Sequence, residues 1–350
     1  MIRFKMFMPL LILGAFLEFS PNISDTTATQ PKLTVVLLHG LDGTQENFDV
    51  MQQDLLHQLP VGINFIALKE TRTAEDTIDV QADRVFQQLK QEHIDKNTPL
   101  IFIGHSQGGL KAYRITEKYG NVLDIKGIVT IGTPWQGTPF LETSDRSDLT
   151  TLVSQLTKLS QALDLVTQLG QVSEDVASLF NEVGEWPKML SQKLEDFTQP
   201  GQAGIEDMRP GSAFLQGVHN SLPNSQVPVH AIAGTCQIEE DLAPVCTAIA
   251  EKFQLEDLGK MFLAGGLDLV VNGYKDIFKC EKHDILVAVS SQLAEKIDVN
   301  ANFKRNLPVA GVVHFPIDGI PMDVKQTFML NHPEIINQVK AFIEPHIGTQ

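Results

Sequence analysis

The sequence predicts an α/β protein with a mostly parallel central sheet flanked by helices and a helical lid or cap inserted into it. Three observations predict this. Dense apolar runs such as KLTVVLLHG and PLIFIGHS read as strands buried on both faces, as parallel strands are. Segments with apolar residues at helical spacing alternate with these runs, the rhythm of right-handed strand–helix–strand crossovers. One long stretch, from about Leu141 to Gly204, carries helical patterning and no strand signal.

Taken in order, KLTVVLLHG is the first strand, NFDVMQQDLLHQL a helix and GINFIAL a short strand. TIDVQADRVFQQLKQEHI is an amphipathic helix, PLIFIGHS a buried strand, GGLKAYRITEKYG the helix after it, and IKGIVTIGTPWQG closes a further strand. Within 141–204, Leu152, Leu156, Leu159 and Leu163 form a stripe that Val166, Leu169, Val172, Val176, Leu179 and Phe180 continue. PVHAIAGT resumes the sheet, a second helical insertion covers 247–279, and HDILVAVSS follows. LPVAGVVHFPI is the last strand and NHPEIINQVKAFIEP the closing helix. The core therefore comprises residues 31–140 and 205–350.

The 350 residues, 43% hydrophobic and 20% charged, have ordinary globular composition. A net charge of -16 argues against nucleic acid as a partner, because phosphate binding needs clustered Lys and Arg. Residues 1–30 begin with Arg3 and Lys5, continue as the apolar run MFMPLLILGAFLEF and end in a polar leader. That layout predicts a signal peptide and an exported, secreted or periplasmic protein, with an uncleaved membrane tether as the alternative. Of the 3 cysteines, Cys236 and Cys246 could close a small loop by a disulfide, and Cys280 is left over.

The chemistry centres on GHSQG, which fits G-x-S-x-G with Gly104, Ser106 and Gly108. A strand that turns straight into a helix leaves room only for small flanking residues and holds the serine out on a strained turn, above a helix N-terminus that favours negative charge. The strand before and the helix after are the context this motif requires, so Ser106 reads as a nucleophile. A nucleophile of this kind needs an oxyanion hole. One donor is the backbone N–H of Gln107. The other is that of Leu41 in LLHGLDG, where Gly40 and Gly43 let the backbone approach a ligand. His39 reads as a structural histidine that orients this loop.

Together, VVLLHGLDG, IFIGHSQGGLKAYR, GIVTIGTPWQGTP, EDMRPGSAFLQGV and HDILVAVSSQLA resemble the bacterial lipase branch of the α/β-hydrolase fold. The resemblance covers most of the core from Lys32 to Ile343 but not the insertions. It implies a Ser–acid–His triad in that chain order, an acyl-enzyme and carboxylic ester substrates, commonly acyl lipids, with no organic cofactor. By the same resemblance the acid is Asp284 in KHDILVAVSSQL, with Asp268 and Asp241 as weaker rivals inside insertions. The histidine should follow the last strand and precede the last helix, so His314 and His332 both stand as candidates. The place several residues before the helix-opening Pro-Glu falls near Gln326, which is no base. His314 is favoured because the strand end holds it near the serine. His332 suits the start of the helix that Pro333 opens.

Some such lipases hold calcium, but no carboxylate cluster here suggests a metal site. Residues Ser147 to Phe197 could form a lid that opens towards lipid or simply pack on the core; Trp135 and Phe140 could line the pocket or fill the core. The expected function is hydrolysis of carboxylic esters, most simply acyl lipids. An acyltransferase, a phospholipase or thioesterase, and a non-catalytic lipid-binding pseudo-hydrolase remain as alternatives.

Overall fold

In the computed structural model, residues 33–60, 62–142, 146–168, 188–192, 194–195, 201–236, 257–316 and 327–347 are described. The expected signal segment, Cys246, Asp241 and Gln326 lie outside them. A six-stranded sheet is built from β1 (Leu33–Leu38), β2 (Ile63–Ala67), β3 (Pro99–His105), β4 (Asp124–Ile131), β5 (Val229–Ile232) and β7 (Phe303–Arg305). Their order is β2-β1-β3-β4-β5-β7 and every pairing is parallel. This strand order, with helices on both faces, is the α/β-hydrolase arrangement.

The apolar runs become strands because both faces of the sheet are covered. Val36, Leu38, Leu100 and Phe102 face α2 (Ile78–Gln91) and α3 (Gln107–Tyr119), where Val85, Leu89, Leu110 and Ile115 meet them. Val35, Leu37, Ile101 and Ile103 face the other way, onto Met51 and Leu55 of α1 (Asp49–Gln58) and Ile335, Ile336 and Val339 of the closing helix, Pro333–Ile343. Side chains alternate along a strand, so an unbroken apolar run is what a doubly covered strand requires. Thr77 caps α2 by accepting the Val80 N–H at 3.3 Å.

Chain order reverses between β1 and β3: β2 lies on one side of β1, and β4 follows on the far side of β3. At such a switch point the loops leaving neighbouring strands diverge and open a crevice at their carboxyl ends. His39 and Gly40 leave β1 there, and Ser106 leaves β3 there.

Several segments differ from expectation. PVHAIAGT splits into β5 and β6 (Gly234–Thr235). LPVAGVV is two short strands, β8 (Val309–Ala310) and β9 (Val312–Val313), broken at Gly311, whose φ is +74°. β8 pairs with β6, and β9 pairs with β10 (Thr327–Phe328), so neither joins the main sheet. β7 is a three-residue edge strand with no apolar alternation, and the sequence does not advertise it.

In the insertions, α4 (Arg146–Gln168) and the helix Asp257–Phe278 lie against each other, close enough that a Cβ on Gly273 would sit 3.0 Å from Leu152 Cδ1. Leu152 and Leu156 are buried in one apolar cluster with Trp135 and Phe140. Trp135 and Phe140 are thus core residues. The side chains of Leu159, Leu163 and Val166, and residues 169–187 entirely, lie outside the described residues. Among the described residues no helix is long and apolar enough to cross a membrane.

Candidate active site

Ser106 has φ 55° and ψ -127°, a conformation that costs a non-glycine residue about 1–3 kcal/mol. Three hydrogen bonds hold it there. Its N–H donates to Ile131 O at 2.9 Å, its carbonyl accepts the Gly109 N–H at 3.0 Å, and Thr133 Oγ1 donates to the same carbonyl at 3.0 Å. The motif glycines are required by close approach. A Cβ on Gly104 would lie 2.4 Å from Gly109 N, and one on Gly108 2.0 Å from Leu38 O. On the facing loop, a Cβ on Gly40 would lie 2.6 Å from Ser106 Cβ.

His314 Nε2 lies 2.8 Å from Ser106 Oγ, and His314 Nδ1 lies 2.7 Å from Asp284 Oδ2. With the proton on Nδ1, the imidazole donates to the carboxylate and accepts from the serine hydroxyl, the one tautomer that satisfies both contacts. All three side chains are buried, and the His314 N–H donates to Asp284 O at 2.9 Å. The strand end β9 delivers His314, and β10 packs beside it.

HDILVAVSS is not a strand. Asp284 Oδ1 accepts the N–H groups of Leu286 (3.1 Å) and Val287 (2.7 Å), and His283 Nδ1 accepts that of Ile285 (3.0 Å). Ile285 has φ +76°, a strained value for a β-branched residue. The carboxylate therefore bends its own loop and aims its second oxygen at the imidazole. The second insertion buttresses this loop: Phe278 stacks on His283 with ring centroids 4.0 Å apart. Burial pushes the His283 imidazole down to about 4, so it is neutral beside Asp284.

His332 is elsewhere. It is the N-cap of the closing helix, where its Nδ1 accepts the Glu334 N–H at 3.2 Å. Asp268 is exposed on its helix.

The loop Gly40–Gly43 is a turn closed by Gly43 N–H to Gly40 O at 3.3 Å. That bond uses neither the Leu41 nor the Asp42 N–H. Gln107 opens α3, so its N–H has no helical partner. His39 donates from Nδ1 to Gly40 O at 2.9 Å; burial, then the charge of Lys111, lowers its pKa, leaving it a neutral loop brace. A cavity of about 240 Å³ opens at Ser106 and His314, bordered by Gly40 and Leu41 and walled by Leu286, Phe315 and Phe328. His105 also borders it, buried and held neutral first by burial and then by the neighbouring His314.

Sequence reasoning missed the buried Lys111–Glu70 ion pair, 2.7 Å long, whose lysine is on the helix that follows Ser106. The one available signal was a lysine five residues after the serine, on the helix face that follows the strand.

A family model described as a domain of unknown function, DUF7379, matches residues 17–306; the match includes Ser106 and Asp284 and stops short of His314. No curated protein matches the sequence. Among solved structures, phospholipase PlaB from Legionella pneumophila is 13% identical with a TM-score of 0.42, over 74% of this chain and 45% of that one. This chain thus spans less than half of the Legionella phospholipase. Lipase BlEst2 from Bacillus licheniformis is 15% identical with a TM-score of 0.38, over 82% of this chain and 86% of that one. The RedJ thioesterase of Streptomyces coelicolor is 14% identical with a TM-score of 0.41, over 91% of this chain and 87% of that one. Likenesses this distant assign no activity.

Proposed function

The chain belongs to the DUF7379 domain family, whose description assigns no function, and on its site geometry we propose that it is a serine hydrolase of carboxylic esters. The observation that carries the proposal is the relay of contacts from Ser106 Oγ through His314 to Asp284, at 2.8 and 2.7 Å, on a strained strand-to-helix turn. In the proposed reaction Ser106 Oγ attacks the acyl carbonyl and its proton passes to His314 Nε2. Asp284 holds the imidazole in the accepting tautomer and stabilises the imidazolium. The N–H groups of Leu41 and Gln107 receive the oxyanion. Collapse breaks the C–O bond, and the leaving alcohol takes the proton from His314. Water, activated by the same imidazole, then hydrolyses the acyl-serine and restores the hydroxyl.

The apolar wall of Leu286, Phe315 and Phe328 favours an acyl chain over a charged group on that side. This supports acyl-lipid or simple ester substrates. The test is labelling by a fluorophosphonate probe alongside hydrolysis of p-nitrophenyl esters of graded chain length. Wild type should label and turn over, and Ser106→Ala should do neither. A folded wild-type protein that resists the probe would overturn the hydrolase reading.

A further inference from the structure

We propose that Thr73 is the positioning residue of the oxyanion hole, tying its two halves to one point; this rests on the hydrolase reading above. The two expected donors come from unrelated parts of the chain. Leu41 sits in the loop after β1, and Gln107 at the start of α3. Neither loop geometry nor helix geometry sets the distance between them. Thr73 touches both sides. Its Oγ1 accepts the Asp42 N–H at 2.9 Å, one residue beyond Leu41. Its carbonyl oxygen accepts from Gln107 Nε2 at 3.0 Å, so the residue that offers the second donor is anchored by its own side chain.

The anchor is itself held. The Thr73 carbonyl also accepts from Gln81 Nε2 of α2 at 2.9 Å. The second hydrogen of the Gln107 amide goes to Gly204 O at 3.0 Å, and Gly204 N–H donates to Ala74 O at 2.8 Å. Thr73 is 4% exposed and Gln107 fully buried, so water does not compete for the bonds between them, while the Asp42 bond is part-buried. The two segments already meet where Gly40 packs on Ser106 and Gly108 on Leu38, and a hydrogen bond on each side of Thr73 braces them into a single frame. That frame matters most when negative charge develops between them, because preorganised donors stabilise the transition state without moving.

The test compares wild type with Thr73→Val, Thr73→Ala and Thr73→Ser. Valine keeps the shape and removes the acceptor, alanine guards against a packing failure in valine, and serine keeps the hydroxyl. Valine and alanine should lower ester kcat roughly 10–100-fold, less than the ~10²–10³ for deleting a donor outright, with KM within about threefold. Serine should restore most of the rate. A trifluoromethyl ketone of the same acyl chain, which builds an oxyanion on Ser106, should lose affinity in step with kcat, whereas the product carboxylic acid should bind unchanged. Gln107→Leu, which cuts the other tie, should show the same split. Wild-type kcat in both Thr73→Val and Thr73→Ala, or a kcat loss with no loss of ketone affinity, would overturn the proposal, as would failure of Thr73→Ser to rescue. Absence of turnover in wild type would sink the hydrolase reading instead, and this inference with it.

Discussion

Replacing Asp284 by asparagine tests the proposed triad through a single oxygen. The Oδ1 side of the carboxylate accepts two backbone N–H groups, from Leu286 and Val287. In the asparagine variant the amide oxygen must take that place, since an NH₂ there would leave two buried donors facing donors, at about 1–3 kcal/mol each. The NH₂ is then forced to the Oδ2 position, 2.7 Å from His314 Nδ1. Facing a donor, Nδ1 becomes the acceptor and the imidazole proton moves to Nε2, 2.8 Å from Ser106 Oγ. The base now presents a proton to the serine and cannot take one. In a serine protease triad the equivalent change costs about 10⁴ in kcat. The same factor here corresponds to about 5–6 kcal/mol of lost transition-state stabilisation. KM should barely move, because Asp284 does not line the cavity. The assay is steady-state hydrolysis of a p-nitrophenyl ester near pH 7, with the fluorophosphonate labelling rate read in parallel and thermal unfolding as the folding control. A folded variant that retains kcat within about tenfold of wild type would refute the reasoning.

Other outcomes follow from the same contacts. His332→Ala should keep wild-type kcat and lose about 1 kcal/mol of stability in thermal unfolding, because its ring caps the closing helix; loss of turnover would return His332 to the reaction. The His283 imidazole is held at about 4 in the fold against 6.5 in the unfolded chain, so the unfolded chain binds the extra proton between those values. Stability from this group is complete above pH 6.5, drains as pH falls towards 4, and amounts to about 3 kcal/mol. His283→Gln should flatten that part of the stability–pH curve, and an unchanged slope by urea unfolding would count against it. Lys111→Met leaves the Glu70 carboxylate buried and unpaired and should cost about 3–5 kcal/mol, while Lys111→Met with Glu70→Leu should recover most of it. A double variant as unstable as the single one would mean the cost is packing, not charge.

Much of the fold was legible because its signals are local. The apolar runs of β1 and β3, each followed by a helix-patterned segment, read as doubly covered strands, and the alternating helices point to a parallel sheet. G-x-S-x-G is equally local: its glycines answer to close approaches within one turn of chain and to the adjacent strand end. The acid loop was not legible. DILVAV has the composition of a strand, yet its N–H groups are captured by the Asp284 and His283 side chains, and no periodicity encodes that capture. The edge strand β7 was missed because three residues with one buried side chain carry no pattern.

The sequence by itself therefore determined five of the six sheet strands, the turn that carries Ser106, and a short list of partners for it. It favoured His314, at a strand end, and kept His332 as the alternative, since distance along the chain does not say which ring reaches residue 106. Tertiary structure decided which ring lies there. It broke LPVAGVV at Gly311, paired β9 with β10 outside the main sheet, and set His314 between Ser106 and Asp284 while His332 took a helix cap. The same holds for Thr73, whose contacts reach 31 and 34 residues along the chain. Propensity and periodicity act within a turn or two, whereas a site assembled from five loops exists only once the sheet has brought their ends together.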